Sequence, residues 1–187
     1  KYSFLTHYLD SAPSTREILK INQIDLPGKA LMPLELASTS QERDHLELIF
    51  TGRQDSVTIE KAYVFDAPGT MAVSHAINTE NEDFWIALEW NIMTVSGEKP
   101  TVDTVVMGED RGSYRAKSVA ISDTGMGVTL KIESGSLWDV CIVPIECVSQ
   151  SEAGFEKTFQ GWSIYFLRKG DRSIPEVFVR VEELCRS

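Results

Sequence analysis

The 187-residue sequence lacks most of the short motifs that mark a catalytic centre. It contains three histidines, which form no HExxH or HxxxH pair, and no serine stands in a GxSxG setting. The glycines of Gly125-Met126-Gly127 are not followed by the Lys-Ser/Thr of a phosphate-binding loop. We therefore expect no metal, no cofactor and no catalytic residue in this chain.

Long apolar runs and an excess of basic residues are also missing. Because no stretch of about 18 apolar residues occurs, we expect no membrane-spanning segment. The 18 basic residues are scattered among 28 acidic ones, and the net charge of −10 argues against nucleic acid as a partner. The sequence begins Lys1-Tyr2-Ser3 without Met or a signal-peptide core, so we expect a processed chain or, as we favour, a segment of a longer enzyme.

The cysteine content is low and odd in number. Cys141, Cys147 and Cys185 form no CxxC pair. An unpaired set of this kind suits a reducing compartment better than a disulfide framework. The expected location is the cytoplasm.

Short segments of alternating apolar and polar residues dominate the chain. They occur at residues 57–65, with Lys61 as the exception, and again at 84–92, 128–132, 162–166 and 177–181. A period of two indicates half-buried strands, and the intervening Gly, Pro, Asn and Asp clusters indicate turns. About eight to ten such strands predict an all-β fold, an antiparallel sandwich or barrel, in one domain over residues 1–187. Trp90 follows the apolar set of its strand and is expected inside.

The first 43 residues differ from the rest of the chain in their sequence pattern. Ser14 and Glu17 have capping-box spacing and predict a short helix, although Pro13 and Pro27 leave an extended edge as the alternative. We expect this segment to be a lead-in that crosses the surface and packs on the sandwich.

Carboxylates and amides gather in two places. Glu89 and Asn91 are two residues apart on one strand, so they point to the same face, away from the apolar set. Residues 144–162 contain further carboxylates and amides among aromatic residues. Planar polar groups and rings suit sugar hydroxyls and the apolar sugar face, whereas the alternative is a solvated loop and edge strand.

The second of these stretches carries a resemblance. Pro144-Ile145-Glu146, Val148 to Glu156 and Phe159-Gln160-Gly161 are similar to a signature of the C-terminal domain of glycoside hydrolase family 57, the α-amylase and 4-α-glucanotransferase type enzymes. Cys147 and Phe159 depart from Thr and Tyr in that pattern. In the same order, residues 3–9 resemble the opening of the family domain, and Leu88-Glu89-Trp90-Asn91 resembles its Glu-Phe-Asn strand.

The resemblance implies a fold, and it implies that the catalytic residues lie in another domain. The fold would be a β-sandwich of the galactose-mutarotase-like supersandwich kind. The catalytic carboxylates would lie on an N-terminal barrel of the same polypeptide, and the partner would be an α-glucan or oligosaccharide. The residues expected to contact carbohydrate are those at or beside the motifs: Glu89, Asn91, Gln150, Glu152, Glu156, Gln160 and Trp162.

Two alternatives remain open at this stage. A free-standing sugar epimerase of the mutarotase type needs a general acid and base across the anomeric carbon, for which His75 or His45 with Glu89 or Glu152 are the available pairs. A carbohydrate-binding module needs an exposed aromatic platform, which Trp85, Trp138 or Trp162 would supply.

Overall fold

The computed structural model describes residues 4–20, 30–31, 33–66, 69–151, 154–171 and 173–184, and these are nearly all antiparallel β-structure. One short helix, α1 (Thr15–Lys20), follows the first strand. The strands are β1 (Leu5–Leu9), β2 (Ala30–Leu31), β3 (Glu35–Glu42), β4 (His45–Gln54), β5 (Val57–Asp66), β6 (Thr70–Asn78), β7 (Trp85–Met93), β8 (Thr101–Val102), β9 (Val105–Val106), β10 (Gly112–Asp123), β11 (Val128–Ser151), β12 (Gly154–Lys169) and β13 (Ser173–Glu183). The prediction of an all-β antiparallel fold is confirmed.

The strands form one hydrogen-bonded series that folds over on itself. Its order is β2-β1-β7-β12-β11-β13-β6-β5-β4-β3, with β10 pairing with β11 and β8, and β9 with β8. β1 is far from β5 and β6 in this order, yet Thr6 hydrogen-bonds His75 and Lys61 donates to the Phe4 carbonyl. The two halves of the sheet therefore face each other across a core, which is a sandwich.

The main core is built from the apolar set of the alternating strands. Ile86, Leu88 and Trp90 of β7 are at most 2% exposed and meet apolar residues of β5, β6, β11, β12 and β13. Phe4 packs edge-on against Trp90, with ring centroids 4.9 Å apart. Each such side chain removed from water contributes about 1.5–3 kcal/mol. The prediction that Trp90 lies inside is confirmed.

The opposite face of the β7–β12–β11 region is buried as well. Ala87, Cys141, Tyr165 and Leu167 form a second cluster with Leu9 and with Ile18 of α1. The helix predicted after Ser14 is present, and the Ile18 amide bonds the Ser14 carbonyl at 3.1 Å. Among the helices of the described residues, none has the length and apolarity needed to cross a membrane.

The first 43 residues supply strands, which differs from the lead-in that we expected. β1 lies between β2 and β7, and β3 forms the edge beside β4. Thr6 and His7 of β1 are buried polar residues, at 6% and 0% exposure. Because both are polar, the period-two pattern of this strand is hidden in the sequence.

Candidate functional site

A buried histidine–carboxylate pair joins the first two signature stretches. β1 and β7 are antiparallel neighbours, with Leu5 opposite Glu89 and His7 opposite Ala87. The His7 Nε2–H donates to Glu89 Oε2 at 2.8 Å, and the two side chains are 0% and 4% exposed. His7 Nδ1 makes no hydrogen bond in the described structure. The pair therefore fixes β1 on β7 from within the protein.

Three more polar side chains extend this pair into a network. Asn91 Nδ2 donates to Glu89 Oε1 at 2.9 Å, and the Ser163 hydroxyl donates to Asn91 Oδ1. The Tyr165 hydroxyl lies 3.0 Å from Ser163 Oγ and also hydrogen-bonds Glu89. Burial, reinforced by the negative charge of Glu89, raises the pKa of Tyr165, so this hydroxyl remains a donor. We call these five residues, His7, Glu89, Asn91, Ser163 and Tyr165, the polar network.

Glu89 and Asn91, which the family motif led us to expect as carbohydrate contacts, both belong to this network. Both side chains point away from the main core, as the alternation in the sequence predicts. However, the second cluster beneath α1 covers this face, and each side chain is 4% exposed. The polar groups of both side chains form hydrogen bonds with other protein groups, as buried polar groups require. These contacts give both motif residues a part in holding the fold together.

The third signature stretch forms a hairpin arm that extends beyond the sheet. In the described residues, 146–151 of β11 pair only with 154–159 of β12. Paired residues of antiparallel strands share a face, so Gln150 lies with Phe155 and Glu156 with Ser149, on opposite faces. Gln150 and Glu156 are both exposed. Glu152, the other carboxylate predicted here, lies outside the described residues.

A bulge stands where the arm meets the sheet. The register shifts between Ile145 and Glu146, beside the half-buried Gln160. Gly161 follows with φ of 151°, and a Cβ there would lie 2.0 Å from the Ile92 carbonyl oxygen. Only glycine fits this close approach. The Gln-Gly pair of the motif therefore shapes the base of the arm.

Of the tryptophans considered for a sugar platform, Trp138 and Trp162 are buried and Trp85 is half-buried. Trp162 is 2% exposed, and its indole N–H donates to the Glu98 carbonyl at 3.0 Å. Trp138 is 1% exposed, and Trp85 is half-buried against the second cluster. Trp162 follows the core-facing parity of β12, like Ile164 and Phe166, so its ring cannot serve as an exposed platform in this conformation. Phe159 is the half-buried ring beside it, with centroids 5.1 Å apart.

A cleft opens between the base of the arm and the loops that flank β8 and β9. Its volume is about 350 Å³. Lys157 Nζ lies 3.2 Å from Glu146 Oε2 and Lys99 Nζ 3.1 Å from Asp110 Oδ1, so charged pairs stand at its edges. We call it the hairpin cleft, lined by Gly97, Lys99, Asp110, Arg111, Pro144, Glu146, Lys157, Phe159 and Trp162.

Of the acid–base pairs considered for an epimerase, those that use Glu89 are not formed, and those that use Glu152 lie outside the described residues. His45 Nδ1 lies 2.8 Å from Asp66 on the surface, with 43% and 57% of the two side chains exposed. His75 bonds Thr6 at 2.9 Å inside the core. Glu89 is engaged by His7, a pairing that we did not consider from the sequence. Among the described residues, no group of three His, Cys, Asp or Glu could hold a metal ion.

A second set of polar groups, which we did not predict from the sequence, lies within the main core. Lys61 is 2% exposed and faces Tyr63 at 4.9 Å from its ring centroid. Burial lowers the pKa of Lys61 to about 7 and raises that of Tyr63 to about 12. Burial, together with the charge of Lys61, lowers the pKa of His75 to about 3. The sequence feature that indicates this set is Lys61, the one charged residue among the alternating apolar positions of β5.

Comparisons with known proteins agree with this fold. A 4-α-glucanotransferase from Thermococcus litoralis has a similar structure, with a TM-score of 0.64 and 18% identity over 98% of this chain. A heparan sulfate lyase, HepC from Pedobacter heparinus, follows with a TM-score of 0.57 and 12% identity over 88% of this chain. This chain spans 28% of the first protein and 24% of the second. At these identities the likeness concerns the fold alone.

The sequence comparison is more specific. A search among curated proteins gave no match. The model of one family, "Alpha-amylase/4-alpha-glucanotransferase, C-terminal", matches residues 1–174 and so includes all three signature stretches. The chain therefore belongs to the α-amylase/4-α-glucanotransferase C-terminal domain family.

Proposed function

We propose that this domain is the non-catalytic part of an α-glucan hydrolase or glucanotransferase of glycoside hydrolase family 57, and that it packs against a catalytic barrel of the same polypeptide. The family match over residues 1–174 is the observation that carries the proposal. Glycoside chemistry needs two carboxyl groups that flank the sugar bond. Glu89 is buried in the polar network and Glu156 is exposed on the arm, so these two signature carboxylates support structural and surface roles instead.

Activity measurements on the isolated chain test the absence of catalysis. Maltooligosaccharides incubated with it should show neither hydrolysis nor redistribution of chain length. A rate above the buffer blank that is abolished by heating the protein would contradict the proposal. The full-length enzyme serves as the positive control for the assay.

We place the carbohydrate contacts of this proposal in the hairpin cleft. Glu146, Lys157 and Phe159 share one face of the arm, the same face as Gln150. The half-buried ring of Phe159 offers an apolar surface next to charged donors and acceptors, a combination that suits a sugar. Gln160 stands at the bulge beside it. Glu156 remains a proposed contact from the outer part of the arm, and Glu152, which lies outside the described residues, remains a proposed contact from its motif position.

A titration with maltoheptaose tests this placement. Trp162 lines the cleft and packs on Phe159, so its fluorescence should report occupancy. Phe159→Ala should weaken binding about tenfold, because loss of one stacked ring costs about 1 kcal/mol or somewhat more. Phe155→Ala is the matched control, since Phe155 is 78% exposed on the same arm and does not line the cleft. Equal affinity of all three proteins would exclude the cleft as the site.

The proposal includes a cytoplasmic location. Cys141 and Cys147 are free thiols, one buried and one exposed. An exposed free thiol persists more readily where glutathione and thioredoxin keep cysteines reduced. Fractionation of cells that express the full-length protein tests this part independently.

A further inference from the structure

A cationic recess lies at the C-terminal end of β12, beside the middle of β11 and the first residues of β10, away from the hairpin arm. It has a volume of about 240 Å³ and is lined by side chains that include Arg115, Trp138, Asp139, Arg168 and Lys169. Three of these five carry a positive charge and one carries a negative charge. Such a concentration of cations is notable in a chain whose net charge is −10.

The register places the two arginines on opposite faces of the sheet at this end. Arg115 is paired with Asp139, on the face that also carries Leu167, while Ala116 is paired with Trp138. Arg168 follows the other parity of β12, the one that carries Phe166, and so lies on the face of Trp138. The recess therefore joins the two faces around the end of β12, where a bound group could be approached from both sides.

The guanidinium of Arg168 is held by a ring and not by hydrogen bonds to its buried nitrogens. Its central carbon lies 5.2 Å from the centroid of the Trp138 ring, a cation–π arrangement. Trp138 is 1% exposed and packs edge-on against Phe166, so the platform is fixed. Arg168 Nε and Nη1 are buried without a hydrogen-bond acceptor. Buried donors without an acceptor are rare and costly.

The recess contains one carboxylate, which does not satisfy these donors. In the part of the chain that the structure describes, neither Arg115 nor Arg168 forms an ion pair with Asp139 or another acid. Lys169 is paired with Asp83 at 2.6 Å at the exposed edge. Two guanidinium groups thus line the recess together with one carboxylate. A rotation of the Arg168 side chain that brings Nε and Nη1 into the recess would break no hydrogen bond of these atoms.

We infer that this recess binds an oxyanion, such as the phosphate group of a free phosphate ion or of a phosphorylated sugar. Guanidinium groups recognise phosphate through two parallel hydrogen bonds, and stacking on an aromatic ring preorganises such a fork. Arg168 supplies the fork, and Arg115 supplies the second charge from the other face. This inference is independent of the carbohydrate role proposed for the hairpin cleft, which lies at the other end of β12.

NMR of arginine side chains tests the site directly. Inorganic phosphate, titrated at constant ionic strength against chloride, should shift the Nε–H resonance of Arg168 in a saturable manner. Arg115→Gln should weaken binding at least about tenfold, because a charged hydrogen-bonded contact is worth about 1.5–3 kcal/mol. Arg180→Gln should leave the affinity unchanged, because Arg180 is a half-exposed strand arginine outside the recess.

Titrations with three ligands identify the source of the bound phosphate group. Glucose 6-phosphate and inorganic phosphate should both bind, and tighter binding of the sugar phosphate would identify the sugar as part of the ligand. Glucose alone should not shift the Arg168 resonance. Absence of a saturable shift with either phosphate, or equal loss of affinity in Arg115→Gln and Arg180→Gln, would overturn the inference. Arg168→Gln adds a second variant, and if it fails to fold, Arg115→Gln and the wild-type resonance still decide.

Discussion

The Nε2 atom of His7 lies 2.8 Å from Oε2 of Glu89, and the two residues are 82 positions apart in the chain. His7 belongs to the stretch that resembles the domain opening, and Glu89 belongs to the stretch that resembles the Glu-Phe-Asn strand. Asn91 then connects the pair to Ser163, two residues after the Gln-Gly of the third stretch. The first two signature stretches therefore meet in one buried polar network, which also includes Ser163 and Tyr165 of the strand that continues from the third stretch.

This network should contribute more to stability than a surface pair of the same geometry. His7→Ala leaves the Glu89 carboxylate buried without one of its donors, and we expect a loss of about 3–5 kcal/mol in the free energy of unfolding. His45→Ala is the matched control, because His45 and Asp66 are also 2.8 Å apart but largely exposed. We expect the control to change stability by less than about 1 kcal/mol. Urea unfolding followed by tryptophan fluorescence measures both, and equal losses would show that burial is not the deciding factor.

Gly161 should not tolerate a side chain. A Cβ at this position would lie 2.0 Å from the Ile92 carbonyl oxygen, and the φ of 151° is unfavourable for other residues. We expect Gly161→Ala to cost about 3 kcal/mol or more, because the clash is with backbone of the paired strand. Gly135→Ala is the control, since nothing lies within 4 Å of the added atom. Thermal unfolding that is equally affected by both changes would contradict this account of the bulge.

The pH dependence of stability should report the buried Lys61. Its pKa falls from 10.5 to about 7 on folding, so the unfolded chain binds more protons than the folded protein between these values. Stability therefore decreases as pH falls from about 10.5 to 7, by a few kcal/mol in total, and the penalty is constant below that range. Lys61→Met should raise stability near pH 7 and flatten this slope relative to wild type.

The control for this prediction is a lysine that is exposed in the folded protein. Lys117 is exposed on β10, so Lys117→Met should give a stability profile parallel to that of wild type between pH 7 and 10. The cysteines, tyrosines and other lysines that titrate in the same range are common to variant and wild type. Their contribution to the pH dependence of stability therefore cancels in the difference between the two profiles. A Lys61→Met profile parallel to wild type would mean that this amine stays charged in the folded protein.

Asp123 should hold two loops together through hydrogen bonds to its carboxylate. Its Oδ2 accepts from the Val95 amide at 2.6 Å and its Oδ1 from the Met126 amide at 3.0 Å. These bonds, that from Val95 foremost, lower the pKa of Asp123. A lowered carboxyl pKa stabilises the fold above the ordinary value near 3.8 and ceases to do so as pH falls through the folded value. Asp123→Asn should lower the unfolding temperature at pH 7 more than Asp44→Asn in the exposed β3–β4 turn, and the difference should shrink in acid.

The sequence determined the strands, the turns and the inward parity of most residues, because period-two alternation follows from local backbone geometry. It placed Trp90 in the core and Glu89 and Asn91 together on the other face of β7, and the structure agrees with both. It also predicted α1 from the spacing of Ser14 and Glu17. The family could be inferred as well, because its signature residues are contiguous within each stretch.

Tertiary structure alone decided which of these faces meets solvent. Whether the second face of β7 is open depends on α1 and on β1, whose pairing joins residues about 80 positions apart. The partner of Glu89 depends on the same pairing, and so does the burial of Lys61 beside Phe4. Such contacts are set by how the sheet folds over, which no local pattern encodes. The carboxylates and amides that looked suited to sugar were therefore divided by the fold into a buried network and an exposed arm.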